Sequence, residues 1–192
     1  MKYRTIVADP PWRYQKDTSM GAKPGAAEAH YQTLSMREIA ALPVRNLADE
    51  NAHLFLWVTV PRLYGDRGDR SFTPVDVMEA WGFEFKTMLT WVKSGSPGMG
   101  WYFRGQTEHI LFGVKGHLPI LPAIRQPNYL VAPRSGHSGK PDAFGDLVEQ
   151  VSPGPYLELF ARRQRLGWDT WGNEALEHVA LDARFVRKEA GR

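Results

Sequence analysis

The run Leu54-Phe55-Leu56-Trp57-Val58 is apolar at every position. A strand with one wet face alternates apolar and polar residues. An unbroken apolar run therefore suits a strand covered on both faces, as in an α/β sheet. The rest of the chain agrees, because runs rich in β-branched and aromatic residues alternate with helical patterns. The expected strands are Tyr3–Ala8, His53–Val58, Phe83–Val92, Ile110–Lys115, Tyr156–Phe160 and a short Trp168–Trp171. At 192 residues the chain has the length of one domain, residues 1–192, with a core of useful size.

Several helix boundaries are written in the side chains. Ser35-Met36-Arg37-Glu38 reads as a capping box, with Ser35 at the N-cap and Glu38 three residues on. Thr73-Pro74 sets a cap and a first-turn proline before Val75–Trp81, which Gly82 ends. Lys140-Pro141-Asp142 opens Ala143–Val151, and Ser152-Pro153-Gly154-Pro155 closes it. A last helix is expected from Asn173 or Glu174 to about Phe185. Gln15–Tyr31, Arg62–Phe72 and Ser94–Gln106 fit no element and are long for connections in a compact domain. In an open parallel sheet, loops of this kind gather at the carboxyl edge of the strands, where ligands bind.

Composition narrows the function classes. The chain has no cysteine, which excludes disulfides and thiolate metal sites, and its six histidines show no ligand spacing. No stretch is apolar for long enough to span a membrane, and Met1–Val7 enters a strand without a signal-peptide core, so the expected location is cytoplasmic. A net charge of +3 is compatible with a nucleic-acid partner without demanding one. Seven Trp and seven Tyr, several beside Gly or Pro, offer stacking surfaces for bases.

The chemistry centres on Asp9-Pro10-Pro11-Trp12, which follows the first strand directly. An aromatic amine is a poor nucleophile because its lone pair is delocalised into the ring. A carboxylate accepting one N–H and a carbonyl accepting the other favour a pyramidal nitrogen that can attack a sulfonium methyl. Asp9 supplies the carboxylate and Pro10 the carbonyl, and consecutive prolines hold that carbonyl in place in advance. Trp12 adds an aromatic face for a base. No G-x-G loop follows Tyr156–Phe160, which argues against nicotinamide chemistry.

With these residues in view, the chain resembles the N6-adenine methyltransferases related to the catalytic subunit of the eukaryotic messenger-RNA adenosine methyltransferase, the MT-A70 family. The likeness is strongest to its short bacterial and phage members. It runs through Ala8–Trp12, His30–Ser35, Leu54–Val58, Trp91–Lys93, Glu108–Gly116, His137–Pro141, Glu158–Arg162 and Gly167–Glu174. The resemblance implies a single Rossmann-like class I methyltransferase domain with a mostly parallel sheet and permuted motif order. It also implies S-adenosylmethionine as cofactor and a nucleic-acid substrate, DNA favoured over RNA.

By the same resemblance, Asp9, Lys140, Glu158, Phe160, Arg162, Asn173 and Glu174 would hold the cofactor. Asp9, Pro10, Pro11 and Trp12 would form the catalytic motif. The loop Gly98–Arg104 is read from its own residues as a substrate loop, with Trp101, Tyr102 or Phe103 stacking on a base and Arg104 meeting phosphate, and Tyr31 and Glu108 complete the expected substrate set. The chain departs from the eukaryotic pattern after Arg162, where Gln164-Arg165 replaces a His-Asn pair. No target-recognition domain is visible, so specificity is expected from the loops, a homodimer mate or a related partner subunit. An N4-cytosine methyltransferase poses the same amine chemistry, and a non-catalytic nucleic-acid-binding subunit would keep the same fold. Both readings stay open at this point.

Overall fold

The computed structural model describes residues 1–13, 33–65, 69–98, 102–121, 126–134 and 139–172. Seven strands form one sheet: β1 (Tyr3–Ala8), β2 (Ala48–Val58), β3 (Glu84–Ser94), β4 (Thr107–Lys115), β5 (Tyr129–Pro133), β6 (Tyr156–Leu159) and β7 (Trp168–Trp171). Their order is β5-β3-β4-β2-β1-β6-β7. β4 runs against both of its neighbours, and every other pairing is parallel. This is the mostly parallel, Rossmann-like sheet expected from the alternating pattern.

Among the described residues four α-helices accompany it: α1 (Met36–Ala40), α2 (Val44–Leu47), α3 (Pro74–Ala80) and α4 (Asp142–Val151). Side chains alternate across the central strands, so Ile6, Ala8, Leu54, Leu56 and Val58 pack on one face with Met36, Ile39, Val44 and Val77. Val7, Phe55 and Trp57 pack on the other with Phe144 and Val148 of α4. Both faces of β1 and β2 are therefore dry, which is why Leu54–Val58 contains no polar residue.

The expected caps form. Glu38 accepts the Ser35 N–H at 2.8 Å while Ser35 Oγ accepts the Glu38 N–H at 3.3 Å. Asp76 closes the start of α3 by accepting the Thr73 N–H at 2.6 Å. Gly82 leaves α3 at φ +87°, a conformation open to glycine at little cost.

The sheet departs from the sequence reading where polar residues mask strands. β2 begins at Ala48 rather than His53, because its Asp49-Glu50-Asn51 stretch carries no apolar pattern. β4 begins at Thr107, where Thr107, Glu108 and His109 pair with Val92, Trp91 and Thr90. β5 was not expected at all. It is an edge strand in which only Ala132 is buried, so its pattern says little. α2 was missed as well, being four residues long with no side-chain cap. The expected helix after Asn173 lies outside the described residues.

Candidate active site

The face of the sheet under α4 ends in a row of functional side chains, and the period of two along a strand explains it. On β1, Val7 is in the core and Asp9 follows two residues later on the same face. On β2, Phe55 leads to Trp57. On β3, Trp91 leads to Lys93, and on antiparallel β4, Ile110 is preceded by Glu108. β6 contributes Glu158, which pairs with Val7, and Phe160 follows just past the strand, where it packs against the core of the opposite face. Across the sheet the row reads Lys93, Glu108, Trp57, Asp9 and Glu158.

Lys140, just ahead of α4, reaches over this row. Its ammonium lies 2.7 Å from Asp9 Oδ2 and 3.3 Å from Glu108 Oε2, and 4.9 Å above the Trp57 ring. Lys140 thus bridges carboxylates on the strands flanking β2, with the indole beneath it. Lys93 forms a further ion pair with the other oxygen of Glu108. All four charged side chains are less than one-fifth exposed. Burial disfavours the Lys140 ammonium, but Asp9 and Glu108 outweigh it and hold its pKa above the ordinary lysine value. Burial likewise opposes ionisation of Glu108, and Lys140 with Lys93 more than offsets it, so the carboxyl sits below the usual glutamate range.

The Asp9–Trp12 turn is tied down at each step. Trp12 N–H donates to the Pro10 carbonyl at 2.8 Å, Leu34 N–H to the Pro11 carbonyl at 2.8 Å, and Arg13 N–H to the Leu34 carbonyl at 2.9 Å. The Trp12 indole N–H donates to the Trp57 carbonyl at 3.0 Å. With the indole 4% exposed, what Trp12 supplies in this structure is position rather than an open stacking face. The Pro10 carbonyl keeps a second lone pair for a further donor.

A cleft of about 300 Å³ opens beside Asp9, lined by Trp57, Lys140, Glu158, Phe160, Arg162 and Arg163, among others. Two arginines join its floor to α4. Arg163 pairs with Asp142 at 2.5 Å and donates to the Lys140 carbonyl at 3.0 Å. Arg165 pairs with Asp146 at 2.6 Å and Glu149 at 2.8 Å. The hydrogen bond from Arg165 pulls the Glu149 carboxyl down to about 2.

Phe160 takes φ +63°, a left-handed conformation costly for a side chain with a Cβ. It is held there because Ala161 N–H donates to the Trp171 carbonyl at 3.0 Å and the Phe160 and Trp171 rings meet at 5.2 Å. Gly172 permits this closeness, since a Cβ there would lie 2.5 Å from Ala161 backbone atoms.

Glu158 is the electrostatic anomaly of the cleft. Burial and the neighbouring Asp9 charge push its carboxyl up to about 7. A carboxyl whose folded pKa is raised binds its proton more tightly folded than unfolded. Stability therefore falls as pH rises from the ordinary value of 4.5 through about 7. Glu158→Gln is expected to remove this loss and to be more stable than the parent at pH 8, by on the order of 1–3 kcal/mol. Denaturant midpoints of the two cofactor-free proteins, compared across that pH range, measure the difference.

Of the expected site residues, Asp9, Pro10, Pro11, Trp12, Lys140, Glu158, Phe160, Arg162 and Glu108 come together around this edge. Tyr102 and Arg104 stand exposed on the connection between β3 and β4. Tyr31, Trp101, Asn173 and Glu174 lie outside the described residues. Trp57, Lys93, Arg163 and Arg165 were not singled out from the sequence. For Trp57 and Lys93 the usable signal was their place at strand ends, two residues beyond a core position.

The MT-A70 family model matches residues 3–174. The chain belongs to the MT-A70 family of N6-adenine methyltransferases. Among its MT-A70 relatives is the type II methyltransferase M.MunI from Mycoplasma sp, 34% identical over 90% of this chain and 78% of that protein. The human N(6)-adenine-specific methyltransferase METTL4 is 29% identical over 98% of this chain. The catalytic subunit METTL3 of the human N(6)-adenosine-methyltransferase is 30% identical over 97% of it. The chain spans only 40% and 30% of those two human proteins, so the likeness is to one region of each.

Proposed function

We propose that this chain binds S-adenosylmethionine in the cleft between α4 and the sheet edge and methylates the N6 amine of adenine in a nucleic acid, DNA in preference to RNA. The observation that carries the reading is the Asp9 carboxylate, fixed at the cleft by Lys140 and backed by a Pro-Pro turn pinned on three sides.

The residues of the cleft match the donor's chemistry. Lys140 and Arg162 suit a carboxylate, Asp9 and Glu158 suit an ammonium or ribose hydroxyls, and Phe160 offers an apolar wall. Asn173 and Glu174 belong at the adenosine end on the resemblance alone. When bound, the donor supplies a methyl already activated by its sulfonium. Asp9 accepts one N–H of the target amine through one carboxylate oxygen, and Pro10 accepts the other through its carbonyl. Both acceptors are in place beforehand, so little reorganisation opposes the attack.

A duplex base must leave the stack to reach Asp9. The connection between β3 and β4 supports a role in holding the strand. Tyr102 and Phe103 are 96% and 91% exposed, and Arg104 stands beside them. Exposed rings next to a cation suit bases and phosphate together. Glu108 is bridged to Asp9 by Lys140 and so stands where it can meet the flipped base, and Tyr31 and Trp101 join the substrate set from the sequence alone. M.MunI, a type II methyltransferase, favours DNA as substrate, while the name of METTL3 as a catalytic subunit favours assembly with a homodimer mate or related subunit. Residues 1–192 would act as one methyltransferase domain.

The test is methyl transfer from S-adenosylmethionine to matched single-stranded DNA, duplex DNA and RNA, with product nucleosides identified by mass spectrometry. N6-methyladenine, most abundant on DNA, is expected. N4-methylcytosine as the product, or a chain that binds no donor, would overturn the reading.

A further inference from the structure

Along the edge row, Lys93 lies two positions from Asp9's lysine partner in the chain of contacts, through Glu108 and then Lys140. It is set there by register. Trp91 pairs with Glu108 across β3 and β4, and Lys93 N–H donates to the Gln106 carbonyl at 2.7 Å, which keeps the two side chains on the same face. The Lys93 ammonium also lies 4.8 Å above the Trp91 ring, and that ring meets Trp57 edge-on at 6.0 Å. The two lysines therefore rest on two touching indoles, with Glu108 between them.

We infer that Lys93 is a positioning residue for methyl transfer: by holding Glu108, it sets how readily Lys140 can leave its carboxylate partners for the donor. The inference rests on the functional reading above, in which Lys140 engages the donor's carboxylate. To do so its ammonium must loosen its contacts with Asp9 and Glu108. Asp9 then gains the donor's ammonium and the target amine as partners. Glu108, with its side chain 18% exposed, keeps Lys93 as its cation among the described residues. A shielded carboxylate without a cation is costly, so removal of Lys93 makes Glu108 retain Lys140. The donor must then compete for Lys140 against a carboxylate that has no other partner.

The test is a double-variant cycle on the full chain, read as affinity for S-adenosylmethionine by calorimetry beside kcat and the nucleic-acid KM. Lys93→Met is expected to weaken donor binding about 10-fold, within the range of directly coupled neighbours. Lys93→Arg should restore it to within about 3-fold, because a cation still faces Glu108. Lys93→Met in a Glu108→Gln background should do nothing further, since a neutral residue 108 no longer holds Lys140. Additive losses in the double variant would overturn the proposal. So would unchanged donor affinity with a raised nucleic-acid KM, which would make Lys93 a phosphate contact. Wild-type protein that binds no donor would sink the methyl-donor reading and this inference together, and that result appears before any variant is made.

Discussion

Replacing Asp9 by alanine is expected to reduce turnover about a thousandfold or more, with folding retained. That is the usual scale for losing a group aimed at the reacting atoms. In the proposed mechanism Asp9 is one of two acceptors that draw the N–H bonds of the target amine away from the ring. The Pro10 carbonyl cannot do this alone, because beside the Trp12 N–H at 2.8 Å it has one lone pair left, enough for one of the two N–H bonds, and it carries no full charge. The variant also frees Lys140 from its 2.7 Å contact, but Glu108 remains as its partner, so no bare buried charge is created. Asp9→Asn keeps the shape and one acceptor while removing the charge, and it should fall nearly as far. The measurement is single-turnover methyl transfer at saturating donor, with thermal unfolding of each variant as a control for folding. Near-normal turnover in the alanine variant would remove Asp9 from the chemistry.

The second large effect is expected at Lys140. Methionine there should weaken donor binding about a hundredfold, as when one partner of a shielded charge pair is truncated. Two consequences combine. The donor's carboxylate loses its lysine, and the neighbouring Asp9 and Glu158 carboxyls have less positive charge beside them. Glu158 is already pushed up to about 7 by burial and by Asp9, so its carboxyl should rise further in the variant. Kinetics should show a raised KM for the donor with a smaller change in kcat, the pattern of lost ground-state binding. Calorimetry with S-adenosylmethionine checks the affinity directly. A fall in kcat at saturation with donor affinity intact would instead assign Lys140 to the methyl-transfer step.

Much of this architecture was legible in the chain. β1 and β7 were bounded as they stand, the start of α1 followed from Ser35 and Glu38, and α3 was framed by Thr73 and Gly82. Those signals are local, since a cap or an apolar run depends on residues a few positions apart. The elements that escaped lacked such a signal. β5 is an exposed edge strand held by its pairing with β3, and the early part of β2 is polar. The charged row was legible only in pieces. Asp9 announced itself through the Pro-Pro turn and Lys140 through the family likeness, whereas Lys93 looked like any lysine at the end of a strand.

By itself, the sequence determined that a covered parallel sheet forms, that Asp9 ends its first strand, and that the turn behind Asp9 is stiff. Each follows from side-chain chemistry over short stretches of chain. Only the tertiary structure decided that Lys93, Glu108, Lys140 and Asp9 make one ion-pair chain over two indoles. That outcome depends on strand order and register, with β4 inserted antiparallel between β3 and β2. Order and register are set by packing among residues far apart in the chain, where no local pattern can specify them.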